Sequence, residues 1–131
     1  EGGVPTRAAM ELMHRSKTGV IFTAIVQMAA LLAGVRNETM KALTTYGDQL
    51  GLAFQITDDI LDVVGSEKEM GKPVGSDEKN HKTTYVSLLG VEGAREEAKQ
   101  TTARALAALQ EFDENAEFLR QFVIYLEQRV Q

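Results

Sequence analysis

The chain has 131 residues and no cysteine, so neither a disulfide frame nor a thiolate metal site is open to it. Proline is nearly absent, with two in the whole sequence. Ala, Leu, Glu, Gln and Lys are abundant, and that combination favours helices. Strand-like alternation finds little support. An excess of positive charge is also missing. The net charge is −5, which argues against a nucleic-acid partner. The opening residues, Glu1-Gly2-Gly3-Val4-Pro5, carry no initiator Met, no basic start and no apolar core of a signal peptide. They read as the middle of a longer polypeptide. The longest apolar stretch, Gly19 to Gly34, is slightly short for a spanning helix and includes Gln27, so no membrane span is expected. A soluble, cytoplasmic protein is the expectation. His14 and His81 have no second ligand at metal-binding spacing, and neither suggests a zinc site.

What is present is a substantial apolar fraction, 44%, enough to build a core in one small domain or in a piece of a larger one. The pattern predicts an all-α chain. Thr6 can cap a first helix to about Ser16. Residues 19–34 are apolar nearly all round, the mark of a buried central helix, and Gly34 is a plausible C-cap. Asn37 can cap a helix running to about Gly65 and packed antiparallel to its predecessor. Within it, Gly47 and Gly51 suggest close helix packing or a kink. Residues 66–82 are expected to form a long polar loop. A short helix over 83–90 should end at Gly90. A further helix, about 92–112, has an apolar stripe of Ala98, Thr102, Ala105, Leu106, Leu109 and Phe112, with Glu96, Glu97, Lys99, Gln100 and Arg104 on its wet side. A last helix, about 115–130, should bury Phe118, Phe122, Val123, Tyr125, Leu126 and Val130.

The chemistry concentrates in Gly51-Leu52-Ala53-Phe54-Gln55-Ile56-Thr57-Asp58-Asp59-Ile60-Leu61-Asp62-Val63-Val64-Gly65. On a helix, Asp58 and Asp62 share a face one turn apart, with Asp59 beside them and Gln55 a turn earlier. The other faces, with Leu52, Ala53, Ile56, Ile60, Val63 and Val64, read as buried. Three like charges within a turn repel, and more strongly near a protein interior. A hard divalent cation would compensate. Magnesium suits carboxylate oxygens and takes its other ligands from water and substrate phosphate. A solvated acidic face is the plainer alternative.

Two other stretches carry cations. Lys17 opens the apolar run, either as a snorkelling side chain at a helix end or as a charge at the mouth of a cavity. The 66–82 stretch is either a solvated surface loop or a basic flap that closes on phosphate. Lys72 and Lys82 are its candidate donors.

Phe54-Gln55-Ile56-Thr57-Asp58-Asp59-Ile60-Leu61-Asp62 resembles the second aspartate-rich motif of the trans-type polyprenyl diphosphate synthases, the farnesyl and geranylgeranyl diphosphate synthase-like enzymes. Lys17-Thr18 resembles their Lys-Thr pair. Gly71-Lys72-Pro73-Val74-Gly75-Ser76-Asp77 resembles their Gly-Lys-x-x-Gly-x-Asp loop, and Lys82-Thr83-Thr84-Tyr85 the segment that follows it. The four motifs stand in the family's order over about residues 10 to 90. His81 and Val86 replace residues common in the family, Gly and Pro, at positions without chemistry. The family's first aspartate-rich motif has no counterpart. The acidic cluster Glu111-Phe112-Asp113-Glu114 is wrongly placed to serve as one.

The resemblance implies a helical bundle of the isoprenoid synthase type, with residues 1–131 as its C-terminal portion. It implies a prenyltransferase that condenses isopentenyl diphosphate with an allylic diphosphate. Its cofactor would be Mg2+, bound most directly by Asp58, with Asp59 and Asp62 as ligands or acting through waters. Lys17 and Lys72 would hold the allylic diphosphate. Thr18 and Gln55 would direct oxygens at the carbocation, Phe54 would lie against the isoprenoid, and Lys82 would support the loop. With the first motif missing, the chain by itself is expected to be an inactive fragment that self-associates or forms a homo-oligomer. A non-catalytic subunit of a heteromeric synthase is the alternative.

Overall fold

The computed structural model describes Thr6, residues 19–70 and residues 83–131, leaving out the side chains of residues 69 and 70. The described residues form four α-helices: α1 (Val20–Ala33), α2 (Asn37–Met70), α3 (Tyr85–Ala108) and α4 (Glu117–Gln128), with a single 3-10 turn (Glu114–Ala116) leading into α4. No strand occurs among the described residues. The all-α expectation therefore holds, and the helix expected over 6–16 lies outside the described residues.

The long helix α2 is the spine and packs against each of the other three. It runs antiparallel to α1. Thr23 lies beside Gly47, and Gly19 beside Gly51. The Thr23 hydroxyl donates to Asp48 at 2.6 Å, and the Gln27 amide donates to Thr44 at 3.1 Å. The close approach needs glycine at position 51. A Cβ there would stand 2.8 Å from the Cα of Gly19.

One face of α2 supplies two adjoining apolar clusters. Leu52, Ile56 and Ile60 meet Tyr85, Ala94, Ala98 and Val130. Tyr46, Leu50 and Ala53 meet Ala105, Leu109, Val123 and Leu126. Alanines on α3 let its backbone come near α2, and burial of these apolar surfaces is the main force holding the helices together. The Tyr46 hydroxyl adds a polar tie, donating to the Leu119 carbonyl of α4 at 2.8 Å.

Several sequence expectations change. The helix α2 does not stop at Gly65 but continues to Met70. Glu67, Lys68 and Glu69 are good helix formers, and the Ser66 hydroxyl bonds back to the Asp62 carbonyl at 2.6 Å. The expected helices on either side of Gly90 are present within α3 (Tyr85–Ala108), separated by a kink where Gly90 takes φ +72° and leaves helical geometry, and the second ends at Ala108 rather than about 112. Gly90 thus interrupts the helix where the sequence placed an end, and its lack of Cβ permits the left-handed φ. The last helix begins as a 3-10 turn, and its Phe118 is 75% exposed, with Tyr125 also outside.

The largest difference concerns α1. Its face toward α2 carries Phe22, Thr23, Gln27 and the buried Ala30, but Val20, Ile21, Ile25, Met28, Leu31 and Leu32 are exposed, Leu32 at 90%. Being apolar all round, the helix has a second face that no described residue covers.

Candidate functional site

The aspartates of α2 do not point the same way. Asp58 and Asp62 are exposed. Asp59 is 7% exposed. The apolar flanks explain the split. Ile56 and Ile60 are turned into the core against α3, and a residue adjacent to Ile60 is carried round with them, about 100° from Asp58. The single ridge expected from spacing therefore divides into two outward carboxylates and one inward carboxylate.

Both oxygens of Asp59 accept hydrogen bonds. The Gln55 side-chain amide donates to one at 3.3 Å. The backbone N–H of Tyr85 donates to the other at 3.2 Å. Tyr85 is the first residue of α3, where backbone N–H groups lack partners inside the helix. A further N–H of that turn is served locally. The Thr84 hydroxyl accepts from Ser87 N–H at 3.1 Å, and the Ser87 hydroxyl accepts from Thr84 N–H at 2.8 Å. This reciprocal pair is a capping box with Ser in place of Glu.

Around the carboxylates, Thr57 is buried and turns its hydroxyl back to the Ala53 carbonyl at 2.9 Å. The ring of Phe54 is half-buried and lies 5.4 Å, centroid to centroid, from that of Phe22 on α1. Gln55 is half-buried one turn before Asp58 and Asp59. Thus Phe54, Gln55, Asp58, Asp59 and Asp62 are brought onto one stretch of α2. The other proposed site residues, Lys17, Thr18, Lys72 and Lys82, lie outside the described residues.

Among the described residues no three acidic or imidazole groups converge as a metal cluster. The donor set still fits a hard cation in a partial way. Asp58 and Asp62 offer carboxylate oxygens one turn apart, and magnesium completes its shell with water and phosphate oxygens. The pair would fill one side of such a site, with the remaining ligands supplied by water and phosphate.

A partly buried charge network on the neighbouring helix escaped the sequence reading. Glu97, expected on the wet side of α3, is 4% exposed. Arg104 pairs with it at 3.1 Å, and the same guanidinium donates to Gln49 of α2 at 3.0 Å and to the Thr101 hydroxyl at 2.9 Å. The seven-residue spacing of Glu97 and Arg104 was the available signal, since it places opposite charges two turns apart on one face.

The Polyprenyl synthetase family model matches residues 5–124. A farnesyl diphosphate synthase of Geobacillus stearothermophilus is 46% identical over 96 residues, which make up 73% of this chain and 32% of that protein. A geranylgeranyl diphosphate synthase of Cyanophora paradoxa is 38% identical over 111 residues, covering 85% of this chain and 37% of that one. The crystal structure of an FPP/GFPP synthase from Zymomonas mobilis superposes with a TM-score of 0.78 at 29% identity, over 95% of this chain and 40% of its own. The chain spans about a third of the length of the curated relatives it matches. The helical spine bearing its Asp-Asp-x-x-Asp, together with these matches, makes the chain a member of the polyprenyl synthetase family.

Proposed function

We propose that these residues are the C-terminal helical part of a prenyltransferase that condenses isopentenyl diphosphate with an allylic diphosphate and releases diphosphate. The observation that carries the reading is the exposure of Asp58 and Asp62. They stand one turn apart on a helix whose other side is core, next to Phe54 and Gln55. The farnesyl and geranylgeranyl diphosphate synthases among the relatives support the same chemistry.

Bound magnesium would supply positive charge to the departing diphosphate. The chain's own part is to hold and orient. Asp58 and Asp62 present the oxygens that would seat the cation, Asp58 most directly. Lys17 and Lys72 would grip the allylic diphosphate through charge-assisted hydrogen bonds, with Lys82 supporting the 66–82 stretch. Phe54 would lie against the isoprenoid chain. Thr18 and Gln55 would direct oxygen dipoles at the allylic cation left after diphosphate departs. The alkene of isopentenyl diphosphate then forms the new carbon–carbon bond, and a proton is lost to restore a double bond.

A metal site shared between two facing aspartate ridges needs both, and this chain offers one. The 131 residues by themselves are therefore proposed not to turn over. Calorimetric titration of a complete synthase that contains these residues with inorganic diphosphate tests the site directly. Binding should require magnesium and should weaken when magnesium is replaced by sodium. Equal diphosphate affinity with and without magnesium would contradict the proposal.

A further inference from the structure

Within the Asp-Asp-x-x-Asp motif, we infer that Asp59 is a positioning residue that latches the first turn of α3 to α2, while Asp58 and Asp62 carry the outward-facing chemistry. The inference rests on the function proposed above for what the latch serves, but the latch itself stands on geometry alone.

Among the described residues Asp59 has a donor on each oxygen, and these come from different helices: the Gln55 amide on α2 and the Tyr85 N–H on α3. A carboxylate that is 7% exposed must be hydrogen-bonded to be tolerated, because its desolvation is otherwise very costly. The Tyr85 N–H in turn belongs to a helix start, where such groups need an outside acceptor and where the helix dipole favours a negative charge. The capping box of Thr84 and Ser87 occupies other groups of that turn and leaves the Tyr85 N–H to Asp59. Each partner solves the other's problem.

The latch also has a mechanical effect. Asp59 and Ile60 are neighbours, and Ile56, Ile60 and Tyr85 share one core cluster. Hydrogen bond and apolar contact together fix the rotation of α2 about its own axis at this level. With that rotation fixed, Asp58 and Asp62 stay outside.

The distinguishing experiment compares Asp59→Asn with Asp59→Ala in the intact protein, with Asp58→Asn as the reference. The readouts are amide hydrogen exchange at Tyr85 and the magnesium concentration that half-saturates diphosphate binding. Asparagine keeps one acceptor oxygen for the Tyr85 N–H, and the Gln55 amide can turn to meet its NH2. Alanine keeps neither contact. In Asp59→Ala the Tyr85 amide should exchange about tenfold faster, the scale of one lost hydrogen bond to a charged acceptor. In Asp59→Asn it should change little, and the magnesium midpoint should stay within about threefold of wild type, a shift below the worth of one neutral hydrogen bond. A magnesium midpoint that rises as much in Asp59→Asn as in Asp58→Asn, with Tyr85 exchange unchanged in Asp59→Ala, would make Asp59 a direct ligand and overturn the inference. If Tyr85 responds as stated while Asp58→Asn leaves magnesium dependence untouched, the latch stands and the proposed function fails.

Discussion

Gly51 rests directly on Gly19, so that a Cβ at position 51 would lie 2.8 Å from a backbone carbon of the facing helix start. That contact sets how near α1 comes to α2. Gly51→Val should destabilise the chain by about 1–3 kcal/mol, the usual cost of overpacking where backbone cannot yield. Gly65, also within α2, has nothing within 4 Å of its Cβ position. Gly65→Ala should instead stabilise by up to about 1 kcal/mol through helix propensity. Thermal unfolding followed by circular dichroism checks both, and equal effects of the two substitutions would refute the close-packing account.

The Glu97–Arg104 pair should matter more than the surface pairs. Arg104→Ala removes a guanidinium that bonds a carboxylate only 5% exposed at its side chain, while Arg104 itself is 45% exposed; the loss should cost about 1–3 kcal/mol, the worth of a hydrogen bond to a charged group. Glu92 is 84% exposed in its pair with Arg95, and Glu92→Ala should fall within about 0.5 kcal/mol of wild type. Urea midpoints of the two variants make the comparison. Near-equal midpoints would show that Glu97 gains little from Arg104.

Tyr46 gives the fold an alkaline limit. Burial pushes its hydroxyl from 10.0 up to about 12. The folded state therefore holds this proton more tightly than the unfolded state, whose tyrosine titrates near 10. The associated stability is fully present below pH 10 and is lost as pH rises from 10 to about 12. Melting temperatures across that window should fall in the wild type, and Tyr46→Phe should flatten the part of the fall that belongs to this group. An identical slope in the variant would rule Tyr46 out as its cause.

The face of α1 that no described residue covers should drive association of the 131-residue chain. Ile21, Ile25, Met28, Leu31 and Leu32 are each more than half exposed, a contiguous apolar surface that soluble monomers seldom tolerate. Light scattering should give a mass above that of one chain, and Ile25→Glu with Leu32→Glu should shift it toward the monomer. A wild-type chain that is monomeric throughout would contradict this.

Much of the architecture is legible in the sequence. The apolar run ending at Gly34, the antiparallel pairing of α1 and α2 and the break at Gly90 all follow from local signals, and local signals suffice for helices. The end of α2 did not, because Gly65 and Ser66 look like a stop while Glu67 to Met70 carry the helix on. The division of the aspartates was hidden for a different reason. Spacing places Asp58, Asp59 and Asp62 on neighbouring directions of one helix, and only the position of α3 decides which of them is turned inward. Glu97 was missed likewise: its spacing to Arg104 on the same helix gives the pair, but only the position of α2, whose Gln49 accepts from Arg104, decides that this side of α3 is turned inward.

The most direct test of the functional account is magnesium-dependent transfer of an allylic group to labelled isopentenyl diphosphate by a complete synthase that contains these residues, wild type against Asp58→Ala. The account predicts transfer that requires magnesium and falls about 100- to 1000-fold or more in the variant, because the lost oxygen acts on charge that develops in the transition state. The helical content should be unchanged, since relief of like-charge repulsion costs the fold nothing. Normal turnover of a folded Asp58→Ala protein would contradict the placing of the site on α2.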